Sequence, residues 1–380
     1  MGEKHFKLFL CMTNLMLSLL LLNTSNAEAL KTEYDYYSVS DIDSSNNNSS
    51  SFEQELVVLN KNVSSNIDKA VIIIFDRGFL TQFTNAKPIL DKYGFKASFF
   101  IICSFIDGKG YYRLNNGTEV INDDYENAMS WDQIRILQNE GHSIESHGME
   151  HRYLPNLSSS DLKKEIAGSK KCLEKQDLDP TFFQFPNNEG AHNSSILKTV
   201  SEYFDLGLSE HSKLMFLNCD GWINHGFKTR SYKYQQDCRT FWDDGTVTRT
   251  NKYSIREWSH DRYHASLNNK FPNFSPHGSE ISELMFDEFV REVELQSMYN
   301  TKAGKIVAIP IIGYHSIDNQ EPYDTSVELF DREMKYLIDN GFVVLTLTDL
   351  GFNDNNHNFY IKEDAMPLTK NSSPETEGAR

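Results

Sequence analysis

The chain has 380 residues, with 54 acidic against 37 basic side chains and a formal net charge of -17. That surplus of carboxylates repels phosphate and no block of Lys or Arg relieves it, so nucleic acid is excluded as a partner. Hydrophobic residues at 39% and charged residues at 24% describe a globular chain, with enough apolar material for one large core or two small ones.

The opening stretch, "MGEKHFKLFLCMTNLMLSLLLLNTSNAEAL", sets Lys4 and Lys7 ahead of an apolar run from Leu8 to Leu22 and closes on small residues around Ala27 and Ala29. This is the layout of an export signal, so residues 1–29 read as a signal peptide and the protein as secreted or cell-surface. The competing reading is a membrane anchor, but the run is short for a span and contains Thr13 and Asn14. No later segment is apolar for long enough to cross a bilayer, so no stable membrane span is expected after signal removal. Asn-x-Ser/Thr acceptors at Asn48, Asn62, Asn116, Asn156, Asn193, Asn273 and Asn371 agree with export. Signal removal would leave Cys103, Cys172, Cys219 and Cys238, with three possible connectivities; Cys219 with Cys238 is favoured because the two flank one loop-rich stretch.

Residues 30–66 are polar, centred on "SSNNNSSS", and read as a flexible arm in which "VVLN" at Val57 could form an edge strand. From Lys69 onward strands and helices alternate. "AVIIIF" is a strand covered on both faces, and "NAKPILDKYGF" is a helix stopped by Gly94. "KASFFIICSF" is a second strand. Ser130 caps the helix "SWDQIRILQNEGH", which carries Ile134 and Leu137 on one face, and "SIESH" is a third strand. The helix "SSSDLKKEIAGSKKCLEKQ", the strand "TFFQFP", the helix "NSSILKTVSEYF" and the strand "DLGLSE" follow. Between residues 217 and 275 the periodicity fades in a stretch holding Trp222, Trp242 and Trp258, read as an aromatic-rich insertion or loops over an active face. The helix "ISELMFDEFVREVELQSMYN", the strand "KIVAIPIIGYHSI", the helix "SVELFDREMKYLIDNG" and the closing strand "FVVLTLTDLG" complete the pattern, and residues 356–380 form a polar tail. Such alternation with right-handed crossovers builds a parallel sheet, either open or closed as a barrel.

In α/β folds functional side chains collect where strands end. Asp76 ends the first strand, His147 and His151 follow "SIES", Pro186 follows "TFFQF", and His315 follows "IPIIGY". The four-residue spacing of His147 and His151 would put both imidazoles on one side of a helical turn, a common way to hold zinc or a similar divalent metal.

These segments resemble the polysaccharide deacetylase family, the NodB-homology fold, over roughly residues 69–351 excluding the aromatic stretch. The family's first motif, T-F-D-D-G, stands here as "IFDRG", and its H-[ST]-x-x-H motif as "HGMEH". The Arg-x-Pro-Tyr motif stands as "FQFPNNEG", and the late Leu-x-His motif as "IGYHSID". The resemblance implies an irregular (β/α) barrel over residues 67–355. It also implies a divalent metal, typically zinc, with His147 and His151 as ligands, Asp76 as general base and His315 as general acid. The substrate it implies is a carbohydrate polymer of a surface or extracellular glycan, from which N-acetyl or O-acetyl groups are hydrolysed.

Three positions depart from the pattern. The ligand Asp of the first motif is Arg77, whose guanidinium has no lone pair to give a metal. Either Asp76 becomes a ligand with help from Glu145, Glu150 or Glu189, or two histidines and waters suffice, or an Asp76–Arg77 ion pair fills the space. The base-orienting Arg is Gln184, which with Pro186 is the candidate base-orienting or substrate-binding pair, and the following Tyr is Asn187. No D-x-x-D-W motif is evident; Asp220 and Trp222 in "CDGWINH" come nearest. The alternative reading is a catalytically impaired relative that binds glycan through the same cleft. An ordinary α/β hydrolase is ranked last because no G-x-S-x-G turn occurs.

Overall fold

In a computed structural model of the chain, the residues described are 68–108, 111–113, 119–121, 128–191, 193–211, 214–217, 252–253, 255–318 and 324–366. The arm, the possible strand at Val57, Trp222, Trp242, Cys219 and Cys238 lie outside them.

Eight parallel strands make the central sheet: β1 (Ala70–Arg77), β2 (Ser98–Ile101), β3 (Ser143–Ser146), β4 (Phe182–Gln184), β5 (Leu206–His211), β6 (Ile255–Ser259), β7 (Ile311–Tyr314) and β8 (Val343–Leu345). β1 to β7 follow one another around the sheet in chain order, and β7 pairs back onto β1 from Ile72↔Ile311 to Phe75↔Tyr314, which closes a seven-stranded barrel. On the remaining edge of β1, β8 takes residues 70–72 and β2 takes residues 74–77. They must share that edge, because β7 spans residues 72–75 and overlaps both. Among the described residues eight α-helices are interspersed: α1 (Lys87–Tyr93), α2 (Trp131–Asn139), α3 (Ser159–Glu174), α4 (Ser194–Ser201), α5 (His260–Lys270), α6 (Ser279–Glu294), α7 (Ser297–Ala303) and α8 (Val327–Asp339). Among the described residues, no helix is long and apolar enough to cross a membrane.

Strand alternation sorts the apolar residues into two cores. Val71, Ile73 and Phe75 pack with Phe99, Ile101, Ile312 and Tyr314 under the helices, while Ala70, Ile72 and Ile74 join Phe100, Phe182, Leu208, Ile255 and Ile311 inside the barrel. The continuous run "AVIIIF" is therefore buried on both faces, as its composition requires. Helix starts follow local chemistry. Ser130 and Gln133 form a reciprocal capping box at α2, Ser158 and Ser326 accept from the third residue of α3 and α8, and Gly94 ends α1 in the left-handed region at φ 72°.

One difference from the sequence reading concerns residues 217–275. β6 and α5 fall within that stretch and belong to the barrel. Their pattern is hidden because β6, "IREWS", interleaves Arg256 and Glu257 with Ile255 and Trp258, yet all five of its residues are buried. Polar residues inside a fully buried strand defeat a search for apolar runs.

Cys103, after β2, is bonded to Cys172 on α3, with Cα atoms 6.4 Å apart. This is the bond that a Cys219–Cys238 pairing would leave. It ties the segment that follows β2 to the helix that follows β3. Closing 69 residues of chain removes unfolded-state entropy worth about 4 kcal/mol in the loop-closure model. Replacing Cys103 and Cys172 together by Ser should lower the unfolding free energy by roughly 2–5 kcal/mol in denaturant titrations. Reductant should bring the wild-type protein down toward the variant while leaving the variant's own midpoint in place.

Candidate active site

The inward column of β1 reads Ala70, Ile72, Ile74, Asp76, so an apolar plug gives way to a carboxylate at the C-terminal mouth. β4 does the same with Phe182 then Gln184, and β6 with Ile255 then Glu257. Asp76 is 5% exposed. Burial raises its pKa against the opposing pull of His315, the Gln184 side-chain hydrogen bond and Arg77. Gln184 thus does hydrogen-bond the acid, without the charge an Arg would bring. Glu257, which the sequence reading passed over, is held well above the usual carboxylate range, first by burial and then by the neighbouring charge of Asp76. A Cβ at Gly313 would lie 2.6 Å from its Oε2, so only glycine leaves room for that carboxylate.

His315 extends from the end of β7. Its Nδ1 lies 2.8 Å from Asp261 Oδ2, its backbone N–H donates to the same oxygen at 2.7 Å, and its Nε2 faces Asp76 Oδ2 at 3.7 Å. Asp261 sits in the first turn of α5, and despite its burial the hydrogen bonds and charges of His260 and His315 hold its pKa low. Asp220 and Trp222 lie outside the described residues, and among those described it is Asp261 that holds His315. The available signal was "EWSHD", a strand end followed at once by an acid in the first helical turn. Gln82, fully buried, donates through Nε2 to the carbonyls of both Asp76 (2.6 Å) and His315 (2.8 Å), clipping the ends of β1 and β7 together.

His147 and His151 do meet, with ring centroids 4.7 Å apart, but not on a helical turn. The segment is a loop in which Gly148 has φ 87° and His151 φ 58°. Glu165 of α3 shapes it: Oε1 accepts from the backbone N–H of Glu150 (2.9 Å) and of Arg152 (3.2 Å), on either side of His151. A Cβ at Gly148 would strike that same oxygen at 2.5 Å. His147 Nδ1 faces the Gln184 carbonyl at 3.3 Å; donating there leaves the Nε2 lone pair free. Burial, then His151 and Arg77, hold its pKa well below the ordinary value, so the ring is neutral. Two imidazoles this close fit a divalent ion as donors. Among the described residues no third His, Cys or acidic group completes a set with them.

Arg77 stands where that donor would be expected. Its φ is 76°, a region in which a side-chain-bearing residue is strained, and Gly78 follows at φ 94°. Its charge bears on both Asp76 and His147. Two of the suggested substitute ligands, Glu145 and Glu189, are placed otherwise. Glu145 Oε2 accepts from the N–H groups of Thr181 (2.8 Å) and Phe182 (2.7 Å) and its Oε1 from Ser143 Oγ (2.6 Å), stitching β3 to the start of β4. Glu189 is exposed. Pro186 is buried at the end of β4, before Asn187 and Asn188, both left-handed. A separate group, Asp91, Glu140 and His142, brings ligand atoms within 4.8 Å of one another. It lies at the N-terminal end of β3, opposite His147. Lys87 Nζ already lies 2.6 Å from each of its carboxylates, and His142 Nδ1 accepts from Ala97 N–H. An ammonium holds that place.

Burial raises the pKa of Glu145 to about 7, against its hydrogen bonds from Ser143, Phe182 and Thr181. A folded-state value above the unfolded one means stability that is fully present below about pH 4.5 and lost as pH rises through about 7. Glu145→Gln keeps the acceptor for Thr181 and Phe182 and removes the titration. Unfolding free energy between pH 5 and pH 8 should therefore fall less steeply in the variant, by roughly 3 kcal/mol over the window. Parallel slopes in denaturant titrations across that range would contradict the assignment.

The polysaccharide deacetylase family model matches residues 64–204. Over 136 residues the chain is 30% identical to YxkH of Bacillus subtilis (strain 168), named as a polysaccharide deacetylase, covering 36% of this chain and 42% of that protein. It is 29% identical over 138 residues to a peptidoglycan-N-acetylglucosamine deacetylase of Bacillus cereus, covering 36% and 54%. The chain thus spans about half the length of the curated relatives it matches. Among solved structures, the peptidoglycan deacetylase PdaC of Bacillus subtilis is similar at 16% identity and a TM-score of 0.37, covering 75% of this chain and 91% of that one. The Streptococcus pyogenes deacetylase PplD follows at 22% identity and a TM-score of 0.31, covering 37% and 56%. The match takes in β1 to β4 of the barrel with the "IFDRG", "HGMEH" and "FQFP" segments at its mouth, so residues 64–204 are similar to the polysaccharide deacetylase family.

Proposed function

We propose that the protein is an exported, metal-dependent polysaccharide deacetylase that hydrolyses N-acetyl or O-acetyl groups of a surface or extracellular glycan. The observation that carries this reading is His315, held between Asp261 and Asp76 at the mouth that also presents His147 and His151. The Cys103–Cys172 bond supports export, since disulfides persist in oxidising compartments.

His147 and His151 would hold the divalent ion, which when bound supplies polarisation of the acetyl carbonyl and a more acidic water. Asp76, raised by burial and so a better base than an exposed carboxylate, takes the proton of the attacking water. His315, with Nδ1–H committed to Asp261, keeps Nε2 toward Asp76 and delivers its proton to the leaving nitrogen or oxygen. Gln184 holds the carboxylate of Asp76, and Gln82 fixes the separation of base and acid through their own carbonyls. Arg77 weakens the ion site, because a cation beside two neutral donors opposes a second cation.

Acetate release from acetylated chito-oligosaccharides, measured with added zinc or cobalt, tests the reading. Asp76→Asn and His315→Gln should each lower kcat by roughly 10²- to 10⁴-fold, the usual contribution of a general base or acid. No acetate from the wild-type protein, together with glycan binding in its absence, would favour the binding-only alternative that Arg77 suggests.

The ion site has its own readout. Calorimetric titration with zinc should show binding abolished in a His147→Ala, His151→Ala double variant. Arg77→Asp should tighten binding roughly tenfold or more by adding an anionic donor where a cation stood. Equal affinities for wild type, R77D and the double variant would remove the metal from the scheme.

A further inference from the structure

Behind His315 lies a buried polar row that no step above employs. Thr325 Oγ1 is 3.1 Å from Asp261 Oδ1 and 2.9 Å from His260 Nδ1. His260 Nε2 is 2.7 Å from Glu333 Oε1, and the Tyr314 hydroxyl donates to Glu333 Oε2 at 2.8 Å. His260, Thr325, Tyr314 and Glu333 are all fully buried. They come from three elements: α5, the approach to α8 with α8 itself, and β7.

Proton counting fixes the directions. An ionised Asp261 accepts only, so the single hydroxyl proton of Thr325 goes to Asp261 Oδ1. Thr325 Oγ1 must then accept from His260, which therefore carries hydrogen on Nδ1. His260 Nε2 donates to Glu333, whose other oxygen is already serving as the acceptor for Tyr314. An imidazole donating from both nitrogens is an imidazolium. The groups facing it agree: Glu333 from α8, Asp261 and the neutral His264 from its own helix, and the Tyr314 ring from β7 at 4.7 Å. Burial opposes the charge, but Glu333 and Asp261 overcome it and raise the pKa of His260 to about 9.

We propose that Thr325 and His260 are positioning residues for His315, clamping Asp261 by Oδ1 so that Oδ2 stays in place to receive both the backbone and the ring N–H of His315. The physical need is plain. The terminal torsion of an Asp side chain is soft and roughly two-fold, so a carboxylate anchored through one oxygen can swing and exchange its oxygens. The clamp at Oδ1 removes that freedom, and with it the freedom of the His315 ring to turn Nε2 away from Asp76. The kinetic part of the proposal rests on the deacetylase reading; the structural part does not.

The test uses the full mature chain labelled with ¹⁵N-histidine, without substrate or metal, and reads solvent exchange of the His315 Nδ1–H resonance. Thr325→Val, which keeps the shape and removes the hydroxyl, should accelerate that exchange roughly tenfold, the scale of one lost hydrogen bond to a charged group. Thr325→Ser should restore it. In acetate-release assays kcat should fall about tenfold in Thr325→Val with KM within about twofold, again with rescue by Ser. Should Thr325→Val fail to fold, the charge-conserving pair His260→Gln with Glu333→Gln should accelerate the same exchange. Wild-type exchange in either folded variant overturns the proposal. Faster exchange with no acetate released by any form, wild type included, supports the clamp and sinks the deacetylase reading alone.

Discussion

Water is kept out of the barrel by an apolar plug that ends at the level of Ile74, and that floor shapes the charge states at the mouth. A dry floor disfavours ionisation, so carboxylates above it are pushed up and imidazoles down. Asp76 and Glu257 go up, and His147 goes down. The shifts suit the roles proposed for these groups: a base needs affinity for a proton, and a metal-binding imidazole needs none. Two groups escape the rule. Asp261 stays ionised and His260 stays charged, because each has hydrogen-bonded partners of opposite sign at close range. The wall around α5 and α8 thus holds fixed charges, while burial at the floor of the mouth works against charge on Asp76, Glu257 and His147.

Arg77 is a cation brought against that floor, and it sits on strained backbone. In a strand that ends by turning through two consecutive left-handed residues, the first would more cheaply be Gly or Asn. An arginine at φ 76° puts a permanent charge beside a carboxylate whose pKa burial raises, and with His315 and Gln184 it opposes that rise. The same charge works against a second cation between His147 and His151. Its effects on the base and on the ion site are opposite in sign, so the substitution does not simply delete a function.

Much of the barrel was legible in one dimension. "AVIIIF" could only be doubly buried, Ser130 with Gln133 announced a helix start, and Gly94 a stop; each is local and each is found in place. The meeting of His147 and His151 was anticipated for a mistaken reason, since four residues bring the rings together through a glycine-bent loop and not through a helical turn. β6 was illegible because its buried Arg256 and Glu257 look like surface residues to any scale that ranks by polarity. Asp261, Gln82, Glu165 and Thr325 were illegible for a different reason. Each acts on a residue 6 to 233 positions away, through a contact that exists only once the barrel has closed.

That closure is also what couples the two halves of the candidate site. β7 pairs with β1, and just beyond the pairing Gln82 takes the carbonyls of Asp76 and His315 in one amide group, while Thr81 and Asn85 bind Ser316 and Ile317. The separation of Asp76 and His315 is therefore set by the backbone at the seam, not by the two side chains negotiating with each other. The histidine pair depends on a different support, Glu165 of α3, on the far side of β2 and β3. Asp76 and His315 are thus held from one side of the barrel and His147 and His151 from another, so Arg77 stands near the imidazoles without disturbing the geometry of Asp76 and His315.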